Sequence, residues 1–464
     1  MNMIEAKSMQ GKSGTVDPVV LLVDNKGRDL EIAVLIARHL EALGVGCHLE
    51  PLEAFRAAAG AHKPSMILFN HLNASHLASW SHRLKEMNVL VGVLPNEGFV
   101  YNRESRAFMS GRFHQPHVDH FFCWNEQHKE ALIREGVDRT GAVHVVGVPR
   151  FDFYFEPWSR LLPAAPARTS DKPRILVSTN FVFAKFIDRM QDAAAIFAGK
   201  QQTVSLVKDY KGAVESHWRS RNRILEYLNP LLDDARFEIL LRPHPIEEKP
   251  FYEKWIEGLS AERRANLVYE PGGGIAQLIL DCDLEISCES CTTAIESWVA
   301  RKPTIELVFD RHPMLFKAEP SAANIECDDP AKLPDLIAQH LSQPVPADKQ
   351  ALRAKHLETW CATPDGTSAL RIARTIADAV LKKAPADWSK LDSADARRAK
   401  KLNRRRASGK PYHFDRFLWL KSLLRPKRYA AKAGAYRKSI TPSDVAVMRE
   451  RFEAAAEAMD KARR

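Results

Sequence analysis

Short apolar runs alternate with longer amphipathic segments along most of the chain. From residue 18 onwards, each apolar run spans only a few positions and is rich in β-branched residues. This alternation is typical of βα units that build a parallel sheet. It predicts strands at 19–24, 65–70, 89–94, 120–124 and 142–147, with helices that include 30–43, 76–87 and 126–135. The first part of the chain therefore predicts one Rossmann-like lobe over residues 15–156.

A second series of the same kind follows a proline-rich segment. Proline lacks a backbone donor and disfavours helix in the residue before it, so we predict a linker at 157–173. Further strands are predicted at 174–180, 237–243, 267–271, 284–290 and 303–309. We therefore predict an α/β protein with two tandem Rossmann-like lobes, the second at 174–345, and a cleft between them where the carboxyl ends of the strands meet.

The remainder of the chain is predicted to be helical, with closing helices at 346–386 and a basic tail at 387–464. The whole sequence has a formal net charge of +10, yet residues 387–464 alone contain 22 Lys and Arg against 9 Asp and Glu. The other residues are slightly acidic. A strongly basic sequence suggests nucleic acid or an anionic surface as a partner, and here that suggestion concerns the tail alone.

Composition places the protein among folded globular chains, at 45% hydrophobic and 27% charged residues. The polar first fourteen residues do not resemble a secretory signal, and the longest apolar runs are much shorter than a bilayer span. Seven scattered cysteines, an odd number, suit a reducing compartment better than a disulfide framework. We therefore expect a cytoplasmic protein.

The clearest candidate for chemistry lies at the end of the strand at 237–243. The strand runs into Arg-Pro-His-Pro, so two prolines stiffen a turn that carries Arg242 and His244. A guanidinium and an imidazole at a strand end suit a phosphate ester. The alternative is an ordinary proline turn in which His244 caps a neighbour.

The second candidate is the segment at 284–308, which is predicted as a strand, a turn, a helix, a turn and a strand. Thr292 and Thr293 fall at the helix start, where free backbone N–H groups and the helix dipole favour an anion such as a nucleotide phosphate. Thr293 and Glu296 also match a capping box, which needs no ligand. Glu296 is left with two interpretations, a cap or a partner for a ribose hydroxyl.

The third candidate is the turn Asn96-Glu97-Gly98 after a strand of the first lobe. A carboxylate on this turn suits proton abstraction from an acceptor hydroxyl, and the alternative is an acidic surface turn. Other strand ends carry further cleft candidates, namely Lys26, Arg28, Asp29, Asn96, Arg150 and Asp152, together with Thr179 and Asn180 on the donor side.

Three signals for a metal or a cofactor are discounted. The Asp-Cys-Asp run at 281–283 precedes a strand instead of following one, and the nearby cysteines lack the second pair of ligands of a closed zinc site. The glycines at 272–274 lack the spacing of a dinucleotide-binding loop. We therefore predict no metal and no cofactor.

In their order along the chain, these segments resemble the bacterial surface carbohydrate biosynthesis proteins, which are two-lobed GT-B glycosyltransferases. The resemblance covers about residues 18–340. Its most specific parts are Arg-Pro-His-Pro at 242–245 and GVPRFD at 147–152, and it also includes the segments at 24–31, 96–98, 119–136, 175–181 and 291–296.

A more distant similarity connects the chain to bacterial sialyl-, polysialyl- and Kdo-transferases that use CMP-sugars. It implies that Glu97 is the general base and that His244, Thr292 and Thr293 bind the donor phosphate. The chain departs from the usual motifs at Asn96, where a second acidic residue is usual, and in a helix start without serine. The resemblance implies a metal-independent, inverting enzyme that uses a nucleotide-sugar donor and a glycan or lipid-linked acceptor.

The tail leaves its own alternatives open. Residues 411–429 interleave aromatic and aliphatic residues with basic ones, which is typical of a helix at an anionic membrane surface. A helix packed on the first lobe explains the same pattern. A nucleic-acid-binding tail explains only the basic runs and leaves the strand-end residues without a role, so we disfavour it. Among enzymes, the alternative is a CDP-glycerol-type glycerophosphotransferase.

Overall fold

The structure, a computed structural model, describes residues 17–101, 115–136, 142–198, 205–272, 274–412, 417–424 and 438–463. These residues divide into two compact units. One contains the described residues up to Asp152 and from Asp365 onwards, and the other is Phe153–Pro364. The predicted linker segment contains a short 3-10 turn at Trp158–Leu161 and irregular backbone after it.

The first unit has a six-stranded, fully parallel sheet in the order β2-β1-β3-β4-β5-β6. Its strands are β1 Val19–Val23, β2 Cys47–Pro51, β3 Met66–Phe69, β4 Leu90–Val93, β5 His120–Cys123 and β6 Ala142–Val145. The helices among them are α1 Lys26–Ala42, α2 Phe55–His62, α3 Ser75–Glu86 and α4 Glu126–Arg134. Helices cover the sheet, so β1 is buried along its whole length, as its apolar sequence predicts.

The second unit repeats this architecture in the order β12-β11-β10-β7-β8-β9. Its strands are β7 Arg174–Ser178, β8 Glu238–Arg242, β9 Leu267–Tyr269, β10 Leu284–Cys288, β11 Thr304–Leu307 and β12 Ile325–Cys327. Its helices are α5 Met190–Phe197, α6 Tyr210–Asp233, α7 Lys249–Glu257, α8 Ala261–Ala265, α9 Ile275–Asp281, α10 Thr292–Val299, α11 Ala318–Ala322, α12 Leu333–Ser342 and α13 Ala347–Cys361. The strand order reverses between β7 and β10, which is where doubly wound sheets bind ligands.

The C-terminal helices belong to the first unit. They are α14 Ser368–Lys382, α15 Ser393–Ala407, α16 Leu418–Leu424 and α17 Pro442–Arg463. Helix α15 packs so closely on α2 that a Cβ added to Gly60 would lie 3.1 Å from the Cβ of Ala399. Helix α17 is joined to α1 by ion pairs, among them Arg451 with Glu31 at 2.7 Å. The described parts of the tail that carry α15 and α17 therefore pack on this unit.

The structure differs from the predicted elements in two short edge strands and in the start of one capped helix. The edge strands β2 and β12 are not predicted, because CHLEP and IEC are too short and mixed to stand out as apolar runs. Helix α1 begins at Lys26 and not at 30, since the Asn25 side chain accepts a hydrogen bond from the backbone N of Gly27 at 3.1 Å.

Candidate functional site

In the second unit, the predicted donor-binding residues lie at the carboxyl ends of three adjacent strands. Strand β7 pairs in register with both β8 and β10, matching Ser178 with Arg242 on one side and with Ser287 on the other. The backbone N of Thr179 donates to the carbonyl oxygen of Arg242 at 3.3 Å. This register places the residues that follow β7, β8 and β10 at one edge of the sheet.

Arg242 is buried at this edge, and His244, two residues further on, is half-buried. Burial lowers the pKa of Arg242, and this effect is opposed by nearby groups that are negatively charged when ionised, namely Cys291, Glu296 and Glu247 among others. Burial, with the charges of Arg242 and Lys185, lowers the pKa of His244 to about 4. His244 is therefore neutral at neutral pH.

The tautomer of His244 follows from its contacts. Its Nδ1 accepts a hydrogen bond from the backbone N of Ile246 at 3.3 Å. A neutral imidazole that accepts at Nδ1 carries its proton on Nε2. The side chain therefore has an N–H to offer to an anionic oxygen without carrying a positive charge.

Helix α10 begins at the same edge, at the end of β10. Glu289 and Ser290, which connect the two elements, both adopt positive φ angles, +54° and +51°. Such angles are uncommon for residues other than glycine and concentrate at functional sites. The turn is held on one side by Ser220, whose Oγ donates to Glu289 at 2.7 Å, and on the other by Glu306, which accepts from the backbone N of Ser290 at 2.9 Å.

The capping-box interpretation of Thr293 and Glu296 is wrong. The residue that precedes the helix is Cys291, so Thr293 lies inside the first turn. Glu296 is buried, and its Oε2 accepts a hydrogen bond from the hydroxyl of Tyr154 at 2.6 Å. Thr292 is half-buried at the first helical position, and Thr293 is buried with its hydroxyl 3.5 Å from that of Ser287.

The two residues after β7 differ in their surroundings. Thr179 is buried and its hydroxyl donates to Glu247 at 2.8 Å, so this side chain is engaged within the protein. Asn180 is only half-buried. The sequence prediction does not include Glu247, although it lies in the acidic stretch that directly follows the Arg-Pro-His-Pro turn.

The first unit brings four of its predicted residues together at the ends of β1 and β4. The Nε of Arg28 donates to Asp29 at 2.6 Å, and Asn96 donates to the same carboxylate at 3.1 Å. Arg28 also lies 3.7 Å from Glu97. Asn70, at the end of β3, donates to the side-chain oxygen of Asn96 at 2.9 Å. Asn96 thus connects the ends of β3 and β4 to the start of α1.

Burial distinguishes the two carboxylates of this group. Asp29 is buried, which raises its pKa even though Arg28 pairs with it. Glu97 keeps 58% of its side chain exposed. The turn that carries Glu97 packs closely on Trp124, because a Cβ at Gly98 would lie 2.3 Å from the indole. Glu97 is therefore an accessible carboxylate on a tightly packed turn.

The remaining cleft candidates have partners within this unit. Lys26 pairs with Asp444 of α17 at 3.2 Å, and the guanidinium of Arg150 lies over the Trp124 ring at 4.8 Å. Asp152 is 1% exposed and accepts from the backbone N of Ser368 at 3.0 Å and from the next residue of α14 at 2.7 Å. The carboxylate of Asp152 thus caps a helix.

The discounted metal signals have structural partners. Arg174 donates to Asp281 at 2.7 Å, and Arg168 donates to Asp283 at 2.9 Å. The seven cysteines are all buried and unbonded to one another. Within the described ranges, His, Cys, Asp and Glu side chains form no group of three around a common metal position. Gly273 lies outside the described residues.

The sequence matches no protein-family model and no curated protein sequence. Solved structures are similar to it in fold. A Listeria monocytogenes protein assigned as a UDP-N-acetylglucosamine 2-epimerase is 13% identical, with a TM-score of 0.50 over 80% of this chain and 99% of that chain. Another UDP-N-acetylglucosamine 2-epimerase is 11% identical, with a TM-score of 0.50 over 81% and 99%. A glycosyltransferase from Rickettsia africae is 12% identical, with a TM-score of 0.42 over 79% and 100%.

The predicted fold class is confirmed. The chain has two Rossmann-like α/β units of the GT-B type, each with a six-stranded parallel sheet, and a helical C-terminal extension. At this level of identity the likeness concerns the fold, so the roles of single residues stay predictions.

Proposed function

We propose that the protein is a glycosyltransferase that moves a sugar from a nucleotide-sugar donor to a glycan or lipid-linked acceptor of a surface polysaccharide. The observation that carries the proposal is the grouping of Arg242, His244 and the start of α10 at the strand-order reversal of the second unit. Doubly wound sheets bind nucleotides at such a reversal. Two of the similar structures are named for enzymes of UDP-N-acetylglucosamine, itself a nucleotide sugar, which supports this class of ligand.

In the proposed reaction, the second unit stabilises the leaving nucleotide. The acceptor oxygen forms a bond to the anomeric carbon while the bond from that carbon to the phosphate oxygen breaks. The negative charge that develops on the phosphate meets the Nε2–H of His244, the guanidinium of Arg242 and the N–H groups at Thr292 and Thr293. These groups supply the charge stabilisation that a metal supplies elsewhere, so we propose a metal-independent transfer.

Glu97 is the proposed base. Its exposed carboxylate accepts the proton from the acceptor hydroxyl as the new bond forms. Direct displacement of this kind inverts the configuration at the anomeric carbon. A CMP-linked sugar is the proposed donor, on the resemblance to the transferases that use CMP-sugars.

The tail supports a further proposal, a peripheral position on the cytoplasmic face of a membrane. The described parts of 411–429 are 411–412 and 417–424, and the others lie outside the described residues. Phe417, Leu420, Leu423 and Leu424 are exposed, while Arg397, Lys400 and Arg404 form an exposed face of α15. Exposed apolar groups and exposed basic groups both suit an anionic lipid surface. No helix in the described ranges is both long and apolar enough to span a bilayer.

Product analysis tests the proposed function. The protein is incubated with CMP-, UDP- and GDP-sugars, and separately with CDP-glycerol, in the presence of an extract of bacterial glycolipids. Products are separated by chromatography and identified by mass spectrometry and by NMR, because sugar epimers have equal masses. Transfer predicts a free nucleotide and an acceptor heavier by one sugar. Two other products would contradict it, namely an unreleased nucleotide sugar with inverted C2, which marks an epimerase, and a phosphate in the new linkage, which marks a glycerophosphotransferase.

A further inference from the structure

A buried carboxylate joins the strand ends of the second unit. Glu247 is 6% exposed and lies three residues after His244. Its Oε1 accepts from the hydroxyl of Thr179 at 2.8 Å and from the backbone N of Phe181 at 3.0 Å. The same oxygen accepts from the backbone N of His244 at 3.2 Å, and Oε2 accepts from the hydroxyl of Tyr252 at 2.7 Å.

These contacts suit a negatively charged carboxylate. All four of these groups donate to Glu247, and an ionised carboxylate is the side chain that accepts at every position. Burial raises the pKa of Glu247 above its usual value, although the four hydrogen bonds oppose this shift. The interior of the unit thus contains a carboxylate that is bonded within the protein and shielded from solvent.

The position of Glu247 couples it to the proposed phosphate-binding groups. Through the His244 backbone it holds the turn that lets the imidazole accept from Ile246 and keep its proton on Nε2. Through Thr179 and Phe181 it fixes the loop after β7, next to Arg242. Its charge is also among those that favour the protonated form of Arg242.

We propose that Glu247 is a positioning residue that holds the β7 and β8 strand ends, and with them His244 and Arg242, in the geometry that binds the donor phosphate. This inference rests on the proposed function. Glu247 touches no substrate in this scheme. It acts through the backbone and charge of the residues that do.

The test compares Glu247→Gln with the wild-type protein in two measurements. Glutamine keeps the size of the side chain but replaces one acceptor oxygen with an NH₂ group that faces a donor. Calorimetric titration with CMP, CDP, UDP and GDP is expected to show an affinity loss of about 10-fold or more for the nucleotide that the wild type binds. NMR of 15N-labelled histidine, with His244 assigned by its absence in His244→Ala, is expected to show a changed tautomer or titration.

Two further variants provide a second test of the same contacts and a control. Tyr252→Phe removes one of the four donors without changing the carboxylate, and a smaller affinity loss in the same direction is expected. Glu257→Gln changes an exposed carboxylate at the end of α7, the helix that carries Tyr252, and is expected to match the wild type in both measurements. If Glu247→Gln does not fold, Tyr252→Phe decides the question.

The inference is overturned if Glu247→Gln, or Tyr252→Phe in its place, lowers thermal stability but leaves the nucleotide affinity and the His244 signal as in the wild type. That result would describe a purely structural carboxylate. If the wild type binds none of the nucleotides, the proposed function fails instead. The His244 signal then still decides whether Glu247 positions the imidazole.

Discussion

Two carboxylates at the ends of β1 and β4 suit different functions because one is buried and the other is exposed. Asp29 and Glu97 both lie near Arg28, but Asp29 is buried with Asn96 and Arg28 as partners, while Glu97 is exposed. A carboxylate that accepts several internal hydrogen bonds stabilises the turn, and one that reaches solvent remains able to take a proton from a ligand.

The first prediction concerns Glu97. Glu97→Gln is expected to reduce sugar transfer at least about 100-fold, because the amide cannot accept the acceptor proton, and to leave nucleotide affinity unchanged. Transfer rate and calorimetric affinity measure the two effects, with Glu130→Gln on the exposed face of α4 as a matched control. Full transfer activity in Glu97→Gln would exclude this residue as the base.

A second prediction uses the buried Glu285 of β10. The residue is fully buried among the hydroxyls of Ser178, Thr293 and Ser297, and burial raises its pKa to about 7 from 4.5. A carboxyl whose folded-state pKa is raised contributes its stability below the unfolded-state pKa. That contribution is lost as the pH rises through 7.

Glu285→Gln removes this titration. The variant is therefore expected to gain stability relative to the wild type as the pH rises from 5 to 8, by about 3 kcal/mol at the upper end. Urea unfolding at a series of pH values measures the difference, and Glu257→Gln should show no such trend. If the difference in stability between Glu285→Gln and the wild type stays constant with pH, the raised pKa of Glu285 is contradicted.

At the scale of elements, the apolar pattern is sufficient for ten of the twelve strands found among the described residues, and it fails where an element depends on distant partners. The pattern finds β1 and β7 because apolar residues dominate both strands. It misses the edge strand β2, which is defined by pairing with β1 and not by its own sequence. The capping box fails for the same reason, since Glu296 meets Tyr154, 142 residues away.

The candidate site was predictable to a similar extent. Arg242 and His244 stand out because prolines follow them, and Glu97 because a glycine follows it. Glu247 does not stand out in the sequence, because its role depends on contacts with Thr179 and Tyr252. The register of β7 with β8 brings Thr179 to it, and helix α7 brings Tyr252. Local sequence indicates which chemistry a turn carries, and only the fold shows what orients it.

The third prediction concerns the start of α14. Asp152 accepts hydrogen bonds from the first two N–H groups of this helix and connects it to the end of the first sheet. Asp152→Ala leaves both donors without this acceptor and is expected to lower the free energy of unfolding by about 1–2 kcal/mol. Asp152→Asn keeps one acceptor oxygen and should lose less. Urea unfolding of both variants checks the order, and an unchanged Asp152→Ala would contradict the capping role.

For the molecule as a whole, the uneven distribution of charge is the main feature beyond the fold. The net charge of +10 comes from residues 387–464, while the remainder of the chain is slightly acidic. Parts of the tail pack on the first unit through α15 and α17, and α16 keeps several apolar residues exposed. Packing on the protein and contact with a membrane are therefore compatible tasks for different helices of the tail.

The fourth prediction tests the proposed membrane contact. The full chain is expected to bind vesicles of phosphatidylcholine with phosphatidylserine more strongly than vesicles of phosphatidylcholine alone, and salt should weaken this binding. Leu423→Glu, at a side chain that is 70% exposed, should reduce it several-fold. The similarly exposed apolar site Val447 on α17 provides the control Val447→Glu. Stronger binding to DNA or RNA than to anionic vesicles would contradict the proposal.

The proposed activity depends on nucleotide binding by the strand ends that carry His244 in the second unit. Thermal unfolding with saturating CMP, CDP, UDP or GDP measures this binding, because a ligand that binds only the folded state at about 100 times its Kd adds about 3 kcal/mol of stability. We predict a rise in Tm with at least one nucleotide that is lost in His244→Ala and kept in the exposed-site control His76→Ala. No rise with any nucleotide, or an equal rise in His244→Ala, would contradict the proposed site.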